Sequence, residues 1–162
     1  MQRLMQRLML GSLLALAAAL PLNALAGDTL QRVVDFKVLK VGMSGNQPPM
    51  SMTNREGGMM GFDVDLAKAL ADAMKVKLEI IPMPFGELMG ALEKDKIDMV
   101  LSGLAITPGR TEMVSFVGPY MMSGKSILTK NSVLAKIQEG NDFNRKELKL
   151  LALSNSTSAS FV

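Results

Sequence analysis

The segment from Asp95 to Arg110 contains the residues whose types and spacing could do chemistry. A predicted buried strand ends at Leu101, a Ser-Gly-Leu-Ala turn follows, and Thr107-Pro108-Gly109-Arg110 is typical of a helix start. Ligands of open α/β sheets bind beyond the carboxyl ends of the strands, and free amides at a helix N-terminus favour an anion. Arg110 adds a planar, permanently charged fork that can bind a carboxylate through two hydrogen bonds. These residues alone are equally compatible with a carboxylate site and with a solvated surface arginine.

Other kinds of site are disfavoured by composition. The 162 residues contain no His and no Cys, which excludes His-based triads, thiolate metal sites and disulfides. Asp65 falls in a predicted helix start, where the helix dipole explains an acidic residue. Asp98 has no partner carboxylate at helical spacing, so paired acid–base catalysis lacks support. We therefore expect no metal, no cofactor and no enzymatic activity.

Residues 1–26 are typical of a secretory signal peptide. Arg3 and Arg7 precede an apolar stretch from Leu8 to Leu22, and Ala24-Leu25-Ala26 offers small residues for cleavage. The alternative is a membrane-spanning helix, but the apolar stretch is about 15 residues, short of the roughly 20 that a span needs. The segment therefore predicts export to the periplasm.

The charge of the exported chain argues against a nucleic-acid partner. The predicted signal contributes two of the 18 basic residues and none of the 15 acidic ones. Its removal leaves 16 basic and 15 acidic residues, a net charge of +1 instead of +3. A nucleic-acid-binding surface normally carries a clear basic excess.

The elements that must position Arg110 alternate between strands and helices. This alternation with short connections predicts a parallel, right-handed α/β sheet in which Ile97–Leu101 is apolar enough to be central. The clearest helix places Phe62, Leu66, Leu70, Ala71 and Met74 on its apolar face and puts Asp63 and Asp65 in its first turn. The predicted elements are strands Phe36–Met43, Val76–Met83 and Ile97–Leu101, the helix that begins at Phe62, a helix Gly86–Lys94, and a loop Ser44–Gly61 with a turn at Arg55–Gly58.

Shorter strands and turns are predicted in the last third of the chain. Val114–Val117, Ser126–Thr129 and Leu148–Leu153 have the apolar character of strands, and Asn131–Asn144 is polar and irregular. The polar residues Asn155–Ser158 predict a turn.

Several linked motifs resemble one family. In this order and spacing, the chain resembles the family 3 extracellular solute-binding proteins, the amino-acid receptors of ABC importers. The resemblance extends from about Val38 to Val162. The motifs are Gly61–Leu70 (GFDVDLAKAL), Phe85, Lys96–Val100 (KIDMV), Ser102–Arg110 (SGLAITPGR) and Phe116–Tyr120 (FVGPY).

The resemblance implies an α/β fold of the periplasmic-binding-protein-like type II class, in which two lobes close on a ligand. Residues 27–122 would form the first lobe and 123–126 the hinge crossing. Residues 127–162 would open a second lobe within which the chain ends, so we expect an incomplete second lobe.

The resemblance also implies the site residues. Arg110 would bind the ligand α-carboxylate with help from the Ala105 amide, and Ser102 and Gly103 would receive the α-ammonium group. Phe85 would pack on the ligand, although it could equally be ordinary core. The remaining expected contacts are Gln47, in a loop where relatives often carry an aromatic residue, Thr107, more typical of a helix cap, and Ser156 with Thr157 of the second-lobe turn.

The function that the resemblance implies is capture of an amino acid in the periplasm for the membrane permease of an ABC importer, by a monomeric protein. Ser44 lies where binders of basic amino acids can carry Asp, which mildly disfavours a cationic ligand. One alternative is an enzyme of the same fold, either dehydratase-like or fused to a lytic transglycosylase. The other is a ligand-sensing module of a signalling protein. The alternatives would need an acid or base facing the pocket, or a transmembrane helix and a signalling domain.

Overall fold

The computed structural model describes residues 27–128 and 149–161. Within them the chain forms a parallel sheet with helices, a small antiparallel sheet, and a terminal turn region. In chain order the elements are α1 (Asp28–Phe36), β1 (Val38–Met43), β2 (Asn46–Gln47), β3 (Ser51–Thr53), β4 (Met59–Met60), α2 (Phe62–Met74), β5 (Lys77–Pro82), a 3₁₀ turn (Phe85–Glu87), α3 (Leu88–Glu93), β6 (Met99–Val100) and α4 (Pro108–Thr111).

The main sheet has the strand order β5-β1-β6, and both pairings are parallel. Val41 in β1 is paired with Ile80 on one side and Met99 on the other. The predicted parallel sheet is therefore confirmed. Among the described strands β1 is central and β6 lies at the edge, which differs from the prediction that Ile97–Leu101 is central. Ile97 and Leu101 are buried, so their apolar character reflects packing at the two ends of β6.

The core lies where α1 and α2 pack against this sheet. It is formed by buried side chains of both helices and the sheet: Val33, Leu39, Val41, Met43, Val64, Ala67, Ala71 and Leu101. The helix α1 was not predicted from the sequence. It ends at Lys37, which adopts a left-handed conformation with φ 56°, so the strand predicted from Phe36 begins two residues later, at Val38.

The predicted helix at Phe62 is confirmed as α2, but its buried face differs from the predicted one. Asp63, Val64, Ala67 and Ala71 are its buried residues, whereas Phe62 is 44% exposed. Small side chains on the sheet-facing side allow close approach of the helix. The predicted apolar face did not include Asp63, but Asp63 is buried because the Gly103 amide and the Tyr120 hydroxyl donate hydrogen bonds to it.

The segment predicted as a loop from Ser44 to Gly61 instead contains the antiparallel sheet β2-β3-β4. Strands of two or three residues are too short to show an alternating pattern. The predicted turn at Arg55–Gly58 is confirmed: the Gly57 amide donates to the Asn54 carbonyl at 3.1 Å, and the Gly58 amide donates to the Asn54 side chain at 2.6 Å.

The predictions for the last third of the chain were partly wrong. The structure has no regular strand at Val114–Val117, Ser126–Leu128 or 149–153, although the turn at Asn155–Ser158 is present. These apolar segments have no strand ladder to join within the described residues. The predicted signal peptide 1–26, Thr129, Asn131–Asn144 and Leu148 lie outside the described residues. In the part of the chain that is described, no helix has the length and apolar character needed to cross a membrane.

Candidate ligand-binding site

A cleft of about 400 Å³ lies beyond the carboxyl ends of the parallel strands. Gln47 follows β1, Phe85 follows β5 and Gly103 follows β6, and all three line the cleft. Parallel strands direct the segments that follow them to the same edge of the sheet, which is why residues distant in sequence meet here. The lining also includes residues from later in the chain: Ser126, Leu151, Ala152, Leu153, Ser156, Thr157 and Ser158.

Arg110 also lines the cleft. It belongs to the short helix α4, which begins with Thr107 at the N-cap and Pro108 at the first helical position, as predicted. Its guanidinium donates one hydrogen bond to the Ala105 carbonyl at 2.9 Å and another to the Asn155 carbonyl at 2.7 Å. The guanidinium carbon lies 5.7 Å from the centroid of the Phe85 ring, within the range of a cation–π contact. Arg110 is thus fixed from three sides.

The cleft has positive electrostatic character. Among the described residues that line it, Arg110 is the only one with a charged side chain. Burial lowers the pKa of the Arg110 guanidinium, but arginine remains cationic at neutral pH. A guanidinium has five N–H donors, of which the two carbonyls use two. Donors therefore remain for a ligand carboxylate.

Most of the residues singled out from the sequence meet in this cleft, and two do not. Ser102 is fully buried; its hydroxyl accepts a hydrogen bond from the Ser44 amide at 3.0 Å and lies 2.8 Å from the Ser44 hydroxyl. Thr107 caps α4 through its carbonyl, which accepts the Arg110 amide at 3.1 Å. The residues that line the cleft are Gln47, Phe85, Gly103, Ala105, Arg110, Ser156 and Thr157.

Phe85 combines the two roles considered for it. It is 6% exposed, so most of its ring is packed in the protein, and its remaining surface lines the cleft. Asp98, by contrast, is not among the residues that line the cleft. It forms an ion pair with Arg32 and accepts a hydrogen bond from the Lys40 amide at 2.8 Å, so its contacts join α1 to the sheet.

Asp63 and Tyr120 were missed as site residues by reasoning from the sequence. One Asp63 oxygen accepts the Gly103 amide at 2.8 Å, and the other accepts the Tyr120 hydroxyl at 2.9 Å. The Tyr120 ring stacks on Phe62, with centroids 6.0 Å apart and planes at 20°. Both residues belong to the motifs that carried the family resemblance. The family motifs were therefore the signal that could have identified the two residues. Asp63 was not singled out because an acidic residue in the first turn of a helix is already explained by the helix dipole.

Burial sets the ionisation of this pair. It raises the pKa of Asp63 above the ordinary 3.8, against the opposing effect of the hydrogen bonds from Tyr120 and Gly103. Burial and the charge of Asp63 together raise the pKa of the Tyr120 hydroxyl. Both Asp63 oxygens accept hydrogen bonds, one from the Gly103 amide and the other from the Tyr120 phenol.

The raised pKa of Asp63 predicts a pH-dependent contribution to stability. A raised folded-state pKa contributes stability that is present below 3.8 and is lost as the pH rises through the folded value. Asparagine does not titrate. We therefore expect the free energy of unfolding of the wild type, relative to Asp63→Asn, to fall as the pH rises above about 3.8 and through the folded-state pKa of Asp63. Urea titrations at several pH values measure this difference.

Tyr120→Phe provides the matched variant for this measurement. It removes a hydrogen bond that lowers the pKa of Asp63, so the pH dependence relative to a Tyr120→Phe/Asp63→Asn double variant should become steeper. A stability difference that rises with pH in the wild-type background would contradict the assignment of burial as the dominant effect.

The family of the protein follows from a match over most of the chain. The model of the bacterial extracellular solute-binding proteins, family 3, matches residues 39–160. The chain belongs to this family. As a family 3 protein it has the α/β fold of the type II periplasmic binding proteins, of which the described residues supply a part.

Curated relatives of this family 3 protein include both an enzyme and binding proteins. The chain is 36% identical over 125 residues to the cyclohexadienyl dehydratase of Pseudomonas aeruginosa, covering 77% of this chain and 46% of the relative. It is 36% identical over 107 residues to the L-arginine-binding protein of the same species, covering 66% of this chain and 40% of the relative. The chain thus spans about half the length of these relatives.

The chain is also similar to a solved structure of an amino acid-binding protein. The crystal structure of an ancestral amino acid-binding protein, a precursor of cyclohexadienyl dehydratase, matches with a TM-score of 0.77 at 37% identity. The match covers 82% of this chain and 59% of the ancestral protein. The likeness therefore extends to the order of elements as well as to the motifs.

Proposed function

We propose that this family 3 protein is a periplasmic receptor that captures an amino acid and delivers it to the permease of an ABC importer. The observation that carries the proposal is Arg110: a cation held at the carboxyl ends of the parallel strands, in a cleft whose other described side chains are uncharged. A guanidinium is a strong partner for a carboxylate, which it can bind through two parallel hydrogen bonds. Relatives named as binding proteins for L-arginine and L-cystine support an amino acid as the ligand class.

In the proposed binding mode, Arg110 holds the α-carboxylate with help from the Ala105 amide. Gln47 and the exposed peptide of Gly103 also line the cleft and offer oxygen acceptors to the α-ammonium group. Phe85 packs on the ligand, and the turn with Ser156 and Thr157, which lines the same cleft, also contacts it.

The proposed domain organisation is the one implied by the signal-peptide pattern and by the family resemblance. Residues 1–26 direct export, 27–122 form the first lobe, 123–126 cross the hinge, and 127–162 belong to the second lobe. The protein acts as a monomer.

The test is a calorimetric titration of the purified protein with the twenty common amino acids. We expect saturable binding of at least one of them, because the cleft offers a charged partner for the group that they all share. The amine that corresponds to the best ligand, without its carboxylate, should bind about 30-fold more weakly or worse. Equal affinity for the amine, or no binding of any amino acid, would rule out this function.

A second candidate function is dehydration of a cyclohexadienyl compound, which the relative named cyclohexadienyl dehydratase favours. Such chemistry requires a proton donor or acceptor in the site. The described side chains that line the cleft are amide, hydroxyl, guanidinium and apolar groups, without a carboxylate, which is why we favour binding. Incubation with a cyclohexadienyl compound, followed by mass spectrometry, distinguishes the two: loss of water would establish the enzyme.

A further inference from the structure

A buried acidic side chain behind the cleft connects a lining residue to a second segment of the chain. Asp63 is fully buried, and its two oxygens accept hydrogen bonds from different parts of the chain, Gly103 and Tyr120. Gly103 lines the cleft, whereas Asp63 and Tyr120 are not among the described lining residues. Tyr120 lies six residues before Ser126, which also lines the cleft.

Asp63 is itself held rigidly. The amide of Asp63 donates to the Met50 carbonyl at 2.8 Å, and the amide of Phe62 donates to the Pro49 carbonyl at 3.1 Å. The first turn of α2 is therefore attached to the loop that also carries Gln47. A fixed acceptor of this kind can define the position of the donors that it meets.

The Gly103 turn is packed tightly enough for such positioning to matter. Gly103 adopts φ +58°, and a Cβ atom there would lie 2.8 Å from the Gln47 side-chain oxygen. A rotation of this peptide would move the Gly103 surface and displace Gln47. Both are residues of the proposed ammonium-binding site.

We propose that Asp63 is a positioning residue for the ligand site: it holds the Gly103 turn through one oxygen and anchors Tyr120, at the start of the segment that leads to Ser126, through the other. Asp63 makes no contact with the ligand. Its effect on affinity rests on the proposed function, whereas its effect on Gly103 and Tyr120 does not.

An aspartate suits this position because two hydrogen-bond donors meet it, the Gly103 amide and the Tyr120 hydroxyl. A carboxylate accepts at both oxygens, whereas an asparagine accepts at one and must donate from the other. Asp63→Asn can keep the Gly103 bond and donate to the Tyr120 oxygen after rotation of the phenol hydrogen. Asp63→Ala loses both bonds and leaves the Gly103 amide and the Tyr120 hydroxyl without this acceptor, which is the more costly change.

The first part of the test needs no ligand, because Tyr120 is the only tyrosine of the chain and there is no tryptophan. Absorbance of the tyrosinate during a pH titration therefore reports Tyr120 alone. We expect the pKa of Tyr120 to lie above that of free tyrosine in the wild type and to fall in Asp63→Asn, which removes the negative charge. An ordinary tyrosine titration in the folded wild type would overturn the proposed contact.

The second part measures hydrogen exchange of the Gly103 amide and ligand affinity in the same variants. Asp63→Ala should accelerate exchange of the Gly103 amide and weaken binding of the best amino acid about tenfold or more. Asp63→Asn should retain most of the wild-type protection of Gly103 and most of the wild-type affinity. Asp65→Ala is the matched control, since Asp65 lies in the same turn with its side chain 78% exposed. Wild-type affinity in a folded Asp63→Ala protein would overturn the positioning role. If the wild type binds no amino acid, the proposed function fails, while the Gly103 exchange and Tyr120 titration still decide the role of Asp63.

Discussion

Arg110→Ala is expected to weaken amino-acid binding by a factor between about 30 and 5000, equivalent to about 2–5 kcal/mol. The cause is that a ligand carboxylate buried in the cleft would lose its only charged partner among the described lining residues. The same substitution leaves the carbonyls of Ala105 and Asn155 without their donor, so the turn at Asn155 should also loosen. Isothermal titration calorimetry with the best ligand measures the loss.

Two variants separate the contribution of charge from that of geometry. Arg110→Lys keeps the positive charge but lacks the planar fork, so we expect an intermediate affinity. Arg55→Ala is the matched truncation, since Arg55 is exposed in the turn before β4, and it should bind like the wild type. Near-normal affinity of a folded Arg110→Ala protein would exclude Arg110 as the carboxylate partner.

The parts of this structure that could be predicted from the sequence are those with strong local signals. The strands β1 and β5 and the helix α2 show their hydrophobic periodicity over six residues or more. The position of Arg110 could be predicted because a strand end, a turn and a capped helix start follow one another within the Asp95–Arg110 segment. Each of these signals depends on neighbours in the chain.

Asp63 shows why the rest could not be predicted. Its hydrogen-bond partners lie 40 and 57 residues away along the chain, and nothing in its local sequence distinguishes it from Asp65, which is solvated. Ser102 was likewise expected in the cleft but faces inward, because Ser44, 58 residues away, meets it there. Long-range partners of this kind decide whether a polar residue faces the ligand or the core.

The first turn of α2 depends on one glycine, and Gly61→Ala is expected to lower the free energy of unfolding by about 3 kcal/mol. Gly61 has φ 127° and ψ 177°, a region that only glycine adopts readily. An added Cβ would lie 2.5 Å from the Met50 carbonyl oxygen and 2.8 Å from that of Pro49. Since both contacts are with backbone, neither can be relieved by a side-chain rotation. Urea unfolding measures the change.

Gly57→Ala separates the cost of a positive φ at a residue with a side chain from the cost of the clash with the Met50 and Pro49 carbonyls. Gly57 also has a positive φ, 84°, but a Cβ atom there would meet nothing within 4 Å, so its replacement should cost about 1 kcal/mol. The Met50 and Pro49 carbonyls that Gly61→Ala would displace are those that hold the amides of Asp63 and Phe62. If Asp63 positions Gly103, Gly61→Ala should therefore accelerate exchange of the Gly103 amide under native conditions, whereas Gly57→Ala should not. Equal losses of stability in the two variants would show that the close approach of the Met50 loop to α2 is not required.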